Sequence, residues 1–297
     1  MDMLQITNLK KSFNEKKVLN GLNLNVPEHS IFGFIGKNGS GKTTTMKTIL
    51  GFLKADCGEI LVNGEKVVYG QTSTNKYIGY LPDVPEFYSF MTAREYLNFC
   101  AKLSDFDIAE SKKRAEELLK KVGLSDEKGK IKGYSRGMKQ RLGIAQALLS
   151  RTKLLICDEP TSAPDPVGRK EILDILLSIN DETTILFSTH IISDIERICT
   201  DVAFLNNGVI ERQGKISEIK NNFNLGEYSI ETESFENTLL LAKGFPKMNQ
   251  ISITKLSFNE KKYKASEVLR YIEDNNISIF KFERNEPSLE SLFVEDN

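Results

Sequence analysis

Ile31-Phe32-Gly33-Phe34-Ile35-Gly36-Lys37-Asn38-Gly39-Ser40-Gly41-Lys42-Thr43-Thr44 decides the fold of this 297-residue chain. The first five residues are an apolar run that reads as a buried strand, and a helix opens at Lys42 and runs to about residue 51. Between them, Gly36 to Thr43 fits G-x-x-x-x-G-K-S/T in the strand-to-helix setting such a loop requires. Glycines let backbone N–H groups turn inward around phosphate oxygens, and the start of the helix adds positive potential. Lys42 brings a charge to the β- and γ-phosphates, and the Thr43 hydroxyl is a ligand for Mg²⁺. Taken alone, the loop specifies a phosphate-binding α/β protein and nothing narrower.

A second strand further along supplies the complementary chemistry. Leu154-Leu155-Ile156-Cys157 is apolar and ends in Asp158-Glu159. Open α/β sheets put ligand chemistry at the C-terminal edge of such strands. There Asp158 would hold Mg²⁺, through water, and Glu159 would polarise an attacking water. A solvated acidic strand end is the plain alternative, and the upstream phosphate loop argues against it.

Outward from these two strands, short β-like runs at residues 4–8, 18–26, 59–62, 76–81, 184–188 and 202–205 alternate with helical patterns. Strands separated by helices imply a mostly parallel sheet. A helical insertion occupies about residues 92–151, closed by a helix over 135–150. The texture shifts after about residue 220. Runs at 227–231, 250–256, 260–265 and 277–282 read as strands, and 235–242 and 266–274 as helices. That βαββαβ order matches a ferredoxin-like split unit. The expected fold is α/β: residues 1–220 as one domain and 221–297 as a small α+β accessory domain.

Composition narrows the class. Forty Lys and Arg against 41 Asp and Glu leave a net charge of -1, so the basic excess of a strong nucleic-acid binder is missing. Cys57, Cys100, Cys157 and Cys199 are scattered without a CxxC pair and read as reduced thiols. No stretch approaches the roughly 20 apolar residues of a membrane span, so a membrane role has to come through a partner.

With further motifs in order, the chain resembles the nucleotide-binding subunits of ATP-binding-cassette transporters over residues 4–220. Tyr134-Ser135-Arg136-Gly137-Met138, followed by Lys139-Gln140-Arg141, is similar to the family's signature motif. Thr161-Ser162-Ala163-Pro164-Asp165 resembles the loop after the acidic pair, and His190 the switch histidine. Phe13 stands where the family stacks an aromatic on adenine. The resemblance implies ATP and Mg²⁺ as ligands and a dimer in which Ser135 and Gly137 of one subunit close over ATP held by the other. It also implies polytopic membrane subunits as partners, at the cytoplasmic face of a membrane. The ending Glu286-Pro287-Ser288-Leu289-Glu290-Ser291-Leu292-Phe293 resembles subunits that serve exporters of the ABC-2, drug and bacitracin type.

Three departures from the family pattern, at four positions, stand out. Asp83 replaces the usual Gln as an oxygen ligand near Mg²⁺, which puts metal geometry and coupling in question there. Arg136 and Met138 replace a glycine and a glutamine of the signature, and Pro164 replaces a leucine. Residues 83–92, with Pro85, Phe87, Tyr88 and Phe90, form an aromatic loop at the edge of the helical insertion and read as an interface. Rival classes fit less well. Translation ATPases on this cassette carry two phosphate loops, a non-hydrolysing module would lack Glu159 or His190, and a phosphate-loop kinase has no use for residues 134–141.

Overall fold

The computed structural model describes residues 2–71, 73–103, 108–150, 152–222, 226–285 and 289–290. The chain divides into two compact units, Met1–Ile216 and Ser217–Asn297.

The first unit begins with strands β1 (Asp2–Phe13), β2 (Lys16–Pro27) and β3 (Ile31–Ile35), then helix α1 (Lys42–Ile49) and strands β4 (Cys57–Val62) and β5 (Glu65–Lys66). An antiparallel sheet in the order β2-β1-β4-β5 buries Leu4, Ile6, Leu9, Leu22, Leu24 and Val26. Next come β6 (Ile78–Leu81), the helices α2 (Ala93–Leu103), α3 (Ile108–Lys121) and α4 (Arg136–Ala147), and β7 (Leu154–Asp158). The start of α2 carries a capping box: Thr92 Oγ1 accepts from the Glu95 N–H at 3.2 Å and Glu95 Oε2 accepts from the Thr92 N–H at 2.8 Å. The unit is completed by α5 (Pro166–Ile179), β8 (Thr184–Thr189), α6 (Ile192–Ile198), β9 (Asp201–Asn206) and β10 (Val209–Lys215), and α7 (Ile216–Asn222) begins at the boundary.

These strands form a second sheet, β10-β9-β3-β8-β7-β6, parallel from β9 to β6, with β10 antiparallel on the edge. Strands β3, β7 and β8 are buried at every residue, which is why they read as continuous apolar runs rather than alternating ones. Phe32, Phe34, Ile156, Leu186 and Leu205 join Leu4, Ile6, Leu24 and Met46 in one core between the two sheets and α1. That core fixes the C-terminal ends of β3 and β7 side by side around β8, and both motifs of the site leave from those ends. Strand β10 was missed in the sequence, although Asn207-Gly208, with φ of 47° and 77°, is the turn signal that announces such a hairpin. The strand expected over 76–81 begins only at Ile78, because Ser73–Tyr77 form a 3-10 turn.

The second unit contains β11 (Glu227–Thr232), α8 (Phe235–Gly244), β12 (Asn249–Gln250), β13 (Lys255–Asn259), α9 (Ala265–Asp274) and β14 (Ile279–Arg284). Its antiparallel sheet runs β12-β13-β11-β14, the split βαββαβ topology, over a core of Ile230, Leu241, Leu256, Phe258 and Val268. Two expected strands are corrected. Residues 250–256 do not form one strand: the Ile251 N–H donates to the Lys255 carbonyl at 2.9 Å and closes a hairpin inside that run. Residues 260–264 form a turn and residue 265 already opens α9, because Asn259 accepts at its side chain from the Lys261 N–H and at its carbonyl from the Lys262 N–H. In the C-terminal ending, Leu289 is fully buried, while the other residues expected to form its apolar stripe, Leu292 and Phe293, lie outside the described residues. Among the described residues no helix is long and apolar enough to cross a membrane.

Candidate nucleotide site

After β3 the chain turns through Gly39 at φ 83° and Gly41 at φ 115°, backbone conformations that side chains rarely adopt. Gly36 is needed for a different reason: a Cβ there would lie 2.4 Å from Ser40 Oγ and 2.7 Å from the Leu205 carbonyl oxygen. Gly41 caps α1 without a side-chain hydrogen bond, so the first-turn N–H groups of the helix face the loop. Lys42 is buried, and its Nζ donates to the Gly36 carbonyl at 2.6 Å and to the Lys37 carbonyl at 3.4 Å. Lys37, Asn38 and Gly39 form the exposed rim.

Strand β7 delivers its carboxylates onto this loop. Asp158 is buried, with Thr43 Oγ1 donating to its Oδ2 at 2.9 Å and Ser188 Oγ donating to its Oδ1 at 2.9 Å. Glu159 takes φ 51°, unusual for a residue with a side chain. One of its oxygens lies 3.2 Å from Lys42 Nζ and the other 2.8 Å from His190 Nδ1. A cleft of about 260 Å³ is lined by Asn38, Gly39, Gly41, Lys42, Thr43, Thr44, Asp83, Asp158 and Glu159. Asp83 does line that cleft, although its carboxylate accepts from Ser162 Oγ at 3.1 Å. Buried Gln140 donates to the Asp83 carbonyl at 2.6 Å and ties this loop to α4. Tyr80, on β6 beside the carboxylates, has its phenol pushed up to about 12 by burial first, with the negative charges of Asp158 and Asp83 adding to it.

Ser135, Gly137 and Phe13 are not brought into this cleft. Ser135 caps α4, its Oγ accepting from the Met138 N–H at 3.1 Å. With Gly137, Arg136, Pro164 and Asp165 it lines a separate cleft of about 200 Å³. Asp165 caps α5 in the same way, through the Gly168 N–H at 2.7 Å. Phe13 stands half-exposed at the end of β1 with Lys11 Nζ 5.2 Å from its ring centre. In the aromatic loop Phe87 packs edge-on against Tyr96 at 5.1 Å, while Tyr88 and Phe90 are exposed. Neither Ser188 nor Gln140 receives a role of its own from the sequence. Ser188 had a faint signal, a hydroxyl near the end of an otherwise apolar strand, and Gln140 had none beyond its place in the signature helix.

Similarity to known proteins identifies the family. The ABC transporter family model matches residues 19–162, and the C-terminal domain of DrrA1-3-like ATP-binding proteins matches residues 214–296. An uncharacterized ABC transporter ATP-binding protein of Bacillus subtilis, YxlF, is 42% identical over 219 residues, 73% of this chain and 72% of its own. The bacitracin transport ATP-binding protein BcrA of Bacillus licheniformis is 35% identical over 301 residues, 98% of this chain and 96% of its own. The dimeric structure of MJ0796, a bacterial ABC transporter cassette, superimposes with a TM-score of 0.65 at 26% identity, covering 72% of this chain and 99% of that one. A phosphate loop, an acidic strand end and a signature helix on this sheet, matched over nearly the whole chain, have one meaning: the chain belongs to the ABC transporter ATP-binding proteins, the ATP-hydrolysing subunits that work with separate membrane subunits.

Proposed function

We propose that this subunit binds ATP with Mg²⁺ between two copies of the cassette and drives export through its membrane partners. Lys42 and the N–H groups of the loop at Gly36–Thr43 and of Thr44 hold the phosphates. Asp158 and Thr43 suit a magnesium ion: both offer oxygen donors, Thr43 Oγ1 already lies 2.9 Å from the carboxylate, and Mg²⁺ commonly takes few protein ligands beside phosphate and water. Asp83, at the rim of the same cleft, adds a further oxygen. Such an ion offsets charge on the β- and γ-phosphates. Glu159 accepts the proton of the attacking water, and His190 holds that carboxylate and the γ-phosphate in register. Phe13 stacks on the adenine.

The observation that carries this reading is the Glu159 carboxylate, held between Lys42 Nζ at 3.2 Å and His190 Nδ1 at 2.8 Å. The separate lining of the two clefts supports the dimer: the phosphate loop of one chain is not closed by its own Ser135 and Gly137, so a second copy supplies them. Exposed Tyr88 and Phe90 support docking to a polytopic membrane subunit, with the chain at the cytoplasmic face of a membrane. The similarity to BcrA favours export, and the second unit is an accessory regulatory domain.

Two measurements test this. Glu159→Gln is expected to bind ATP, to hydrolyse it at least about 100-fold more slowly, and to accumulate as a dimer in light scattering. Hydrolysis at the wild-type rate would remove Glu159 from the chemistry. Ser135→Ala with Gly137→Asp is expected to keep ATP binding and lose the ATP-dependent dimer, and an unchanged dimer overturns closure by the second copy.

A further inference from the structure

We propose that Asp194 is a positioning residue for ATP hydrolysis, holding the segment that carries His190 against the segment that carries Glu159. The inference rests on the roles given above to Glu159 and His190.

Asp194 is buried at 2% exposure, and both of its carboxylate oxygens are occupied. Thr161 Oγ1 donates to Oδ2 at 2.7 Å, and Arg169 donates to Oδ1 through Nε at 2.7 Å. Thr161 is itself buried at 2%. Arg169 Nη2 also donates to Ser193 Oγ at 2.9 Å. One carboxylate therefore joins three segments: the loop after Glu159, helix α5, and the start of α6 just past His190. Charge-assisted hydrogen bonds of this length are strong, and a buried carboxylate needs them.

The position of Asp194 shows that ordinary helix capping does not explain it. Ile191 is the N-cap of α6, so Asp194 stands at the third helical position, where a carboxylate usually turns back to the N-cap N–H. Here the Ile191 N–H donates instead to Thr189 Oγ1 at 3.0 Å, and the Asp194 carboxylate points across to Thr161. What the cross-link holds explains its placement. Glu159 has φ 51°, a conformation that persists only when the surroundings over-determine it. Pro160 stiffens the step from Glu159 to Thr161. Anchoring Thr161 to the helix that follows His190 fixes both ends of the 2.8 Å contact between Glu159 and His190. Displacing reacting groups by an ångström costs about 100-fold in rate.

The test uses the full chain in single-turnover ATP hydrolysis with Thr161→Val, Thr161→Ser, Asp194→Asn and Arg169→Lys. Thr161→Val is expected to slow hydrolysis by about 10- to 100-fold with ATP affinity unchanged, and Thr161→Ser to restore it. Combining Thr161→Val with His190→Ala is expected to slow hydrolysis no further than His190→Ala alone, because the brace acts through His190. The chain has two histidines, so one-ring NMR signals are assignable with His29→Asn, and the His190 ring signal is expected to shift in Thr161→Val. If Asp194→Asn fails to fold, the Thr161 pair carries the test. Wild-type hydrolysis by folded Thr161→Val, or a loss additive with that of His190→Ala, overturns the proposal. Should Glu159→Gln and His190→Ala themselves hydrolyse normally, the reading of the site fails instead, which separates the two failures.

Discussion

His190 Nδ1 and Lys42 Nζ sit on opposite oxygens of one carboxylate, at 2.8 Å and 3.2 Å from Glu159. The phosphate-loop lysine and the strand-end histidine are thereby joined through a single side chain on a third segment. A change at any of the three is felt by the other two, and Lys42 is the member with the largest expected effect on binding.

Lys42→Ala removes a buried ammonium, and the hydrogen bonds it is proposed to make to phosphate would be charge-assisted. Such bonds contribute about 1.5–3 kcal/mol, so ATP affinity is expected to fall about 10- to 100-fold in equilibrium titration. Unchanged affinity would count against the phosphate-loop assignment.

Gly36→Ala and Gly39→Ala separate two uses of glycine. At Gly36 a methyl group meets the Leu205 backbone oxygen at 2.7 Å, a contact that cannot yield. Destabilisation of about 1–3 kcal/mol is expected in urea unfolding, together with weaker ATP binding. At Gly39 nothing lies within 4 Å of the added Cβ, and only φ of 83° resists it. There the cost is expected to be about 1 kcal/mol. Equal losses at the two sites would contradict the packing around Gly36.

Thiol alkylation at pH 8 is expected to be selective. Cys57 is exposed on β4, while burial pushes the thiols of Cys157, Cys199 and Cys100 up and lowers their thiolate fraction. Mass spectrometry of the native chain should find Cys57 modified first and Cys157 only after unfolding. Rapid labelling of Cys157 in the folded protein would be inconsistent with its place in β7.

Tyr80 is expected to ionise late in an alkaline optical titration, near 12 instead of the ordinary 10. The folded state holds the proton more tightly than the unfolded one, so its contribution to stability is complete below pH 10 and is lost as pH rises towards 12. The difference spectrum between the wild type and Tyr80→Phe isolates this phenol, and a transition near 10 would mean that Tyr80 is solvated.

Local chemistry made most of the site legible. The loop from Gly36 to Thr43, the acidic end of β7 and the caps at Ser135 and Asp165 each depend on neighbours within a few residues, so they appear in the sequence as fixed spacings. Continuous apolar runs gave β3, β7 and β8, because strands buried on both faces have no polar side to show. Strand β10 and the pair β12 and β13 were lost or shifted. Strands β10 and β12 lie at sheet edges, β13 alternates half-buried and buried residues between β12 and β11, and the limits of all three follow from turns at Asn207-Gly208 and at residues 251–254, which apolar periodicity does not report.

By itself the sequence determined the motifs: a glycine-rich loop of the phosphate-binding type, two carboxylates at a strand end, and the order in which they come. Only the tertiary structure decided which of them meet. Glu159 reaches both Lys42 and His190 because β3, β8 and β7 lie side by side and end at one edge. Ser135 and Gly137 fall into a different cleft because α4 packs against β6 at the edge of that sheet and against α5. Thr161, Arg169 and Asp194 share one buried carboxylate for the same kind of reason: contacts between distant segments are set by how elements pack, and spacing along a chain carries no record of that.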